Sequence, residues 1–546
     1  MSRTRTLATL GLAALLGLTT ACSDQAATKH EGAPGKPADL ALTDTTPGAA
    51  GAVDNVKWLL AKEPKSLDLD VRSDSDSNAL VANVCERLFQ TRPDLTMRPH
   101  LADTATYTDP KTLVLKLRAG VTFHDGSPMT ADDVVWSLQR HAAEGKNESD
   151  EFERVAAIER TGDAEVTIRL KEPDALFTKA LAGNAGVVLD REQAEAAGKD
   201  YGTPGRADAC SGPYLLKEWK AGSRISLERY DGYWDKSRKP LVRSATFTWA
   251  DENAMVNSLT TGAADGTYLT TMSAVAPLAG NGRLSVAYGS SSRAWTLIPT
   301  ERGGMKDARV RRALSLALDR QGIAKAAFGG LATPWKTPLG PGAWGYEKAT
   351  FQAGYDALQG APAQPTAADL EAAKKLIAEV GADAPTIVVA NDGTPTRNLI
   401  ANAVVDAAKK IGLKAEIKTM SGADFSSLYT DQGLRKTVDL VADDWYISKS
   451  DPAGFYDNAL TGSSNNWVGF SSPEYDKVVN EALRTTDDAA RAKLLVEAER
   501  RFTADAVWLP LVQVPNVLVT DAKLTGAPPS MANVAYPWLA DLGAKG

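Results

Sequence analysis

Between Leu113 and Arg140 the chain reads LVLKLRAGVTFHDGSPMTADDVVWSLQR, and no other stretch constrains the fold as tightly. Leu113, Leu115 and Leu117 alternate with Val114, Lys116 and Arg118. Successive side chains leave a strand on opposite sides, so this two-residue period predicts a strand with one buried face. Ala119 and Gly120 turn the chain, and residues 121–123 predict a short second strand. His124-Asp125-Gly126 closes that strand with a turn whose glycine takes positive φ without a steric penalty. Thr130 then opens a helix. Its hydroxyl accepts from the amide three residues on, and Asp133 reaches back as the reciprocal cap. Val134, Leu138 and His141 share the inner face. Periodicity carries the reading to a strand–turn–helix unit and no further.

Upstream, Arg3 and Arg5 precede an apolar run from Leu7 to Leu18, too short to span a bilayer comfortably. It reads as a targeting segment ending at Thr19-Thr20-Ala21-Cys22, which resembles a lipoprotein processing site with Cys22 as the lipidated residue. From Ser23 to about Ala52 the chain is rich in Ala, Gly, Pro, Thr and Asp and has no periodicity, which predicts a disordered tether. His30 lies in it. Val56, Trp58, Leu59 and Leu60 predict the first strand of the fold. Asp74-Ser75-Asp76-Ser77 predicts a polar loop that caps a helix over 78–89, with Leu80, Val84 and Leu88 on one face. Besides Cys22 the cysteines are Cys85 and Cys210. They either pair, as an exported compartment permits, or remain two buried thiols.

Downstream, residues 166–170 and 245–249 predict strands, and 253–262 a helix followed by Asp265 and Tyr268. Asp307 caps a helix whose stripe is Val310, Ala313, Leu314, Ala317 and Leu318, with Arg309, Arg311 and Arg312 on its solvated faces. A capped helix from Thr366 to Val380 is followed by a strand over 386–390, a helix over 397–411, a stop at Gly412 and a strand over 413–419. That is a βαβ unit. Residues 439–441 predict a strand, 473–484 and 488–504 two helices, and 509–519 a return to the first region.

The net charge of −7, without a long Lys/Arg run, argues against a nucleic-acid partner. Metalloprotease, nucleophile-elbow and phosphate-loop motifs are absent, as is any paired-cysteine motif. Four histidines leave little for general-base chemistry or metal ligation. No catalytic residue, metal site or cofactor is expected.

As a string, FHDGSPMTADDVVWSLQR resembles the signature of the family 5 extracellular solute-binding proteins, receptors of ABC importers for peptides, nickel and related solutes. Lys65-Ser66-Leu67-Asp68, Ser211-Gly212-Pro213-Tyr214, Glu228-Arg229-Tyr230 with Tyr233-Trp234, and DARVRRALSLALDR from Asp307 are similar to further landmarks of that family. The resemblance implies an α/β, periplasmic-binding-protein-like fold (type II, large peptide-receptor class) of two hinged lobes with an extra domain on the first. The implied division is a signal peptide over 1–21 and a tether over 22–52. The first lobe takes 53–91, 186–300 and 506–546, the extra domain 92–185, and the second lobe 301–505. The implied function is a monomeric, lipid-anchored receptor outside the cell membrane that gives an oligopeptide or related solute to an ABC permease and its ATPase. A receptor for a metal chelate or siderophore, or a lipid-anchored secreted hydrolase, are the alternatives.

The peptide receptors of this family bind the peptide's ammonium through an Asp three residues after a Trp and four before a Pro. Trp445 and Pro452 keep that spacing here, and Ser448 stands at the Asp position. Asp443 or Asp444 either compensates for the missing charge or is a solvated strand end. The expected ligand-binding residues are Asp74, Ser75, Asp76, Tyr268, Trp445, Tyr446, Ser448, Asp451 and Trp467, the last reading equally well as core.

Overall fold

The computed structural model describes residues 40–546 apart from 207, 270, 382, 383, 446 and 448. The targeting segment, Cys22, His30, Tyr446 and Ser448 lie outside the described residues.

Three sheets organise the chain. The first runs in the order Leu284–Gly289, Asn516–Asp521, Gly266–Leu269, Val53–Leu60, Val242–Trp249, Arg224–Arg229, Tyr214–Lys220. At its centre Val53–Leu60 lies parallel to both neighbours. The second runs Thr333–Pro334, Leu509–Gln513, Ala294–Pro299, Leu440–Asp444, Ile387–Asn391, Ala415–Thr419. It contains the expected βαβ unit, with Ile387–Asn391 parallel to Ala415–Thr419 across the helix Pro395–Lys410. Val310, Ala313, Leu314, Ala317 and Leu318 are buried in its core with Ile387, Val389, Leu440 and Leu509. Burial of each large aliphatic contributes roughly 1.5–3 kcal/mol before conformational entropy is charged.

The third sheet, Ala102–Asp109, Thr112–Leu117, Glu165–Leu170, Val155–Gly162, is antiparallel and forms the extra domain. Leu113 and Leu115 are fully buried while Lys116 is exposed. The helix Ala131–His141 covers the sheet and opens with the reciprocal cap of Thr130 and Asp133. Residues 121–123 form no strand; a single bridge joins Thr122 to Pro128.

The chain passes between the first two sheets twice, between Gly289 and Ala294 and between Gln513 and Asn516. Both passages fall in segments that the sequence assigns wholly to the first lobe. They lie side by side, with Val514 N donating to Arg293 O at 3.4 Å. Two short adjacent connections are the construction about which two lobes rotate.

Several expectations are corrected. The tether does not extend to residue 52, because residues 40–52 are fastened along the body. Thr43 N donates to Tyr288 O at 2.8 Å, Ser290 N to Asp44 Oδ1 at 3.2 Å, and Gly51 pairs with Ala544. The helix expected over 78–89 is Ser75–Val81. Beyond it the backbone serves neighbours: Asn83 O accepts from Tyr214 N, Val84 O from Gly212 N, and Glu86 O from Val188 N. Gly212 is required there, since a Cβ would meet Val84 O at 2.3 Å. Leu80, Val84 and Leu88 are buried all the same. Arg311 is not solvated; it is 4% exposed and donates to the backbone carbonyls of Met305, Lys306, Asp505 and Ala506. The alternative left open for the cysteines is resolved: Cys85 and Cys210 form a disulfide across 125 residues. Closing so long a loop contributes roughly 3–5 kcal/mol in the chain-entropy account.

Candidate functional site

In open α/β sheets, ligands bind at the carboxyl ends of parallel strands. The carboxyl ends of Val53–Leu60 and Gly266–Leu269 open beside the first passage between the lobes. There Leu60, Ser75, Asp76, Tyr268, Arg293, Asn516 and Asn533 surround a small cavity of about 60 Å³. Three of the expected residues, Ser75, Asp76 and Tyr268, are therefore brought together. Asp74 stands behind them, capping the helix by accepting from Ser77 N at 3.1 Å. Burial pushes the Asp76 carboxyl up to about 6 against the hydrogen bond it accepts from Lys62 N, and neighbouring Asp74 adds to the rise. The Tyr268 hydroxyl donates to Pro528 O at 2.9 Å, and its ring packs on Trp58 and Trp538.

In the second lobe the strand Leu440–Asp444 leads directly into Trp445, which is partly buried against the core of that lobe. Trp445 packs against Tyr429, Trp467 and Trp508, at 5.8, 6.0 and 5.4 Å between ring centres. Trp467 is core, 2% exposed, with the Arg435 guanidinium 4.8 Å from its ring centre. Asp443 and Asp444, the two carboxylates that precede Trp445, each face an arginine. Asp443 pairs with Arg397 at 2.7 Å, and Asp444 pairs with Arg293. Asp451 is fully buried. It accepts from Tyr346 Oη at 3.2 Å, Arg491 Nε at 3.0 Å and Ala453 N at 3.0 Å, which locks the segment that carries Trp445.

Two cavities lie where the extra domain meets the second lobe, the smaller of them walled also by the first lobe. One of about 190 Å³ is lined by Asn78, Asn147, Glu148, Asn184 and Val534. One of about 730 Å³ is lined by Arg154, Asp174, Asp457, Asn458, Thr461 and Asn465. Asp150, Glu151 and Lys449 line both. Lys449 Nζ donates to Glu151 across the cleft. Ala175 N reaches Leu483 O at 2.9 Å, and Lys348 Nζ reaches Asp94 O at 2.6 Å. The sequence reading missed this polar wall. Glu148, Asp150 and Glu151 stand in an irregular segment where acidic residues read as solvated loop, and only the fold brings Asp457 opposite them. Among the described residues no group of three His, Cys, Asp or Glu side chains is placed to hold a metal ion. No described helix is long and apolar enough to cross a membrane.

His124 donates to Asp208 and to Gly212 O at 2.9 Å, so it shapes its turn.

The model of the bacterial extracellular solute-binding proteins, family 5 Middle, matches residues 96–467. The glutathione-binding protein GsiB of Pectobacterium atrosepticum is 27% identical over 478 residues, covering 84% of this chain and 89% of that one. The heme-binding protein A of Haemophilus influenzae is 27% identical over 469 residues, covering 80% and 82%. Among solved structures, the ABC transporter substrate-binding protein CtaP of Listeria monocytogenes superposes with a TM-score of 0.76 at 21% identity, covering 91% of this chain and all of that one. The oligopeptide-binding protein AppA of Bacillus subtilis, in complex with a nonapeptide, gives 0.70 at 21% identity, covering 91% and 100%. These structures share the two-lobed α/β fold. Proteins of the matching family are transport receptors and not enzymes, and they act outside the cytoplasm. A match over so much of the chain settles the kinship: this protein belongs to the bacterial extracellular solute-binding proteins, family 5.

Proposed function

We propose that this protein captures an oligopeptide or closely related solute between its lobes and gives it, unaltered, to the permease of an ABC importer driven by a separate ATPase. The observation that carries this reading is the set of cavities that the second lobe shares with the first lobe or its extra domain, the largest about 730 Å³. That size suits a small ligand. Contacts from both walls favour the closed state, so affinity reports how much better the ligand fits that state than the open one. Ser75, Asp76 and Tyr268 serve the hinge end of the cleft, with Asp74 holding their helix. Trp445, Tyr446 and Ser448 serve the second-lobe wall, backed by Trp467 and fixed by Asp451. Relatives named for glutathione and for oligopeptides support a peptide ligand. The relative named for heme keeps a chelate as the second reading, with the Trp445 face as its platform.

On the same reading residues 1–21 are removed and a lipid on Cys22 holds the mature chain at the outer face of the membrane. Each buried CH₂ of its acyl chains contributes about 0.8 kcal/mol.

Small-angle scattering with a pool of di- to nonapeptides, followed by mass spectrometry of the bound fraction, tests the receptor reading. The expected result is a smaller radius of gyration and a ligand recovered at its original mass. Cleaved peptides, or bound peptide with no contraction, overturn it.

A further inference from the structure

Cavities that share walls stand next to each other, and in this cleft they share one lysine. Among the described residues, Lys449 alone borders the cavities of about 40, 190 and 730 Å³. The first two also have Gly183, Val534 and Ala535 in common, and Val534 reaches the cavity at the hinge as well. The last two have Asp150 and Glu151 in common, so they meet where Lys449 of the second lobe pairs with Glu151 of the extra domain. The pair therefore stands between a hinge-side set of cavities and the large outer one. Both side chains are only 13% exposed, which separates them from the solvated surface pairs that exchange freely with water. Each end is also fixed by its own wall. Lys449 is followed by Ser450, whose carbonyl accepts from Gly345 N at 3.0 Å, and by Asp451, which Arg491 and Tyr346 lock in place. Glu151 stands on the short turn of helix Ser149–Phe152, and the buried Phe152 packs edge-on against Phe177 at 5.6 Å between ring centres. With the backbone held on both sides, the pair spans the cleft at one place. A ligand on one side of it leaves it intact. A ligand that occupies both sides has to part it, and two nearly buried charges then lose their partner.

We propose that Lys449 and Glu151 form a crossbar that divides the cleft into a hinge-side and an outer chamber and so sets the length of ligand the protein accepts. Short peptides lodge on one side of the bar, whereas a hexapeptide, roughly 20 Å long when extended, has to pass it. The inference rests on the receptor reading, because a length limit has meaning only for an extended solute such as a peptide.

The test is native mass spectrometry of the full chain at pH 7.5, incubated with mixed-sequence pools of di-, tri-, hexa- and nonapeptides at equal molar concentration. Wild type is expected to retain di- and tripeptides at least tenfold over hexa- and nonapeptides. Lys449→Ala and Glu151→Ala remove the bar from opposite walls, and each should raise the ratio of long to short peptides at least fivefold. Either variant carries the comparison if the other does not fold, and the wild-type ratio is read without them. A wild type that retains hexapeptides as well as tripeptides overturns the crossbar and leaves the peptide receptor standing. Alanine variants that change the retention of every length by one factor, or not at all, overturn it too, because the pair then only clasps the two walls together. Refusal of every pool overturns the peptide reading and the crossbar with it.

Discussion

Glu499 lies inside the second lobe, 5% exposed, on the helix Asp488–Ala504. Its Oε1 accepts from the Tyr456 hydroxyl at 2.9 Å, and burial pushes its carboxyl up to about 7. Unfolded, the group titrates near 4.5. Between those values folding takes up a proton, so its contribution falls as pH rises through the window from about 4.5 to about 7. Each tenfold change in protonation equilibrium corresponds to about 1.4 kcal/mol, so the charge weakens the fold by roughly 3 kcal/mol at pH 8. Glu499→Gln should recover roughly 2–3 kcal/mol at pH 8 and change little at pH 4, as measured by urea unfolding at the two pH values. Such a residue cannot be recognised in a sequence, because a helix with a buried Glu and one with a solvated Glu have the same period. Arg311 shows the same limit. It stands among Arg309 and Arg312, but only the nearby carbonyls of Met305 and Ala506 make it a buried brace. Asp451 is expected at the ligand from its place in the sequence, and only the fold sets Arg491, forty positions away, against it.

Helices and strands were more legible than their ends. Pro473–Arg484 and Asp488–Ala504 appear at the expected bounds because Ser472 and Asp487 cap them locally. The helix from Ser75 stops early because its later carbonyls are claimed by chain more than a hundred residues away, and that competition has no local signal. The extra domain is fastened by a device that no motif announces. Each described histidine belongs to it, and each meets an acid of the first lobe: His100 with Glu86, His124 with Asp208, His141 with Asp70. His141 Nδ1 lies 2.6 Å from Asp70 Oδ1, and Nε2 lies 2.8 Å from Val187 O. Both partners accept, so the ring carries both protons. Burial alone would lower its pKa, but the bond and charge of Asp70 outweigh that and hold it above the ordinary value. A raised histidine stabilises fully below about 6.5, its unfolded value, and the contribution is lost as pH rises through the folded value. His141→Gln should therefore weaken amide-exchange protection of Thr112–Leu117 by roughly 1–3 kcal/mol at pH 6, with a gap to wild type that narrows at more alkaline pH.

For the whole molecule, the two-lobed plan followed from the resemblance, but the course of the amino-terminal arm did not. Residues 40–52 have the composition of a loose linker, and their order depends on partners at the far end of the chain: Thr46 and Pro47 meet Ala527, Gly526 and Thr525. The arm also touches both lobes. Asp44 accepts from Ser290 N at the first passage and faces Lys348 of the second lobe at 3.6 Å. Both side chains are partly exposed, so the pair contributes roughly 0.2–1 kcal/mol. Asp44→Ala should shift the open–closed balance by a factor of up to about five, which scattering would read as a larger mean radius without ligand and titration as weaker binding.

The arm bears on the axle of the molecule and hardly on its jaw. Residues 40–52 are seated at the pivot by Ser290 and at the rear edge by Ala544, and among the described hydrogen bonds and ion pairs of the arm only the weak grip of Asp44 on Lys348 crosses to the other lobe. A strap seated on an axle resists the swing very little, so the two halves turn with the arm left in place.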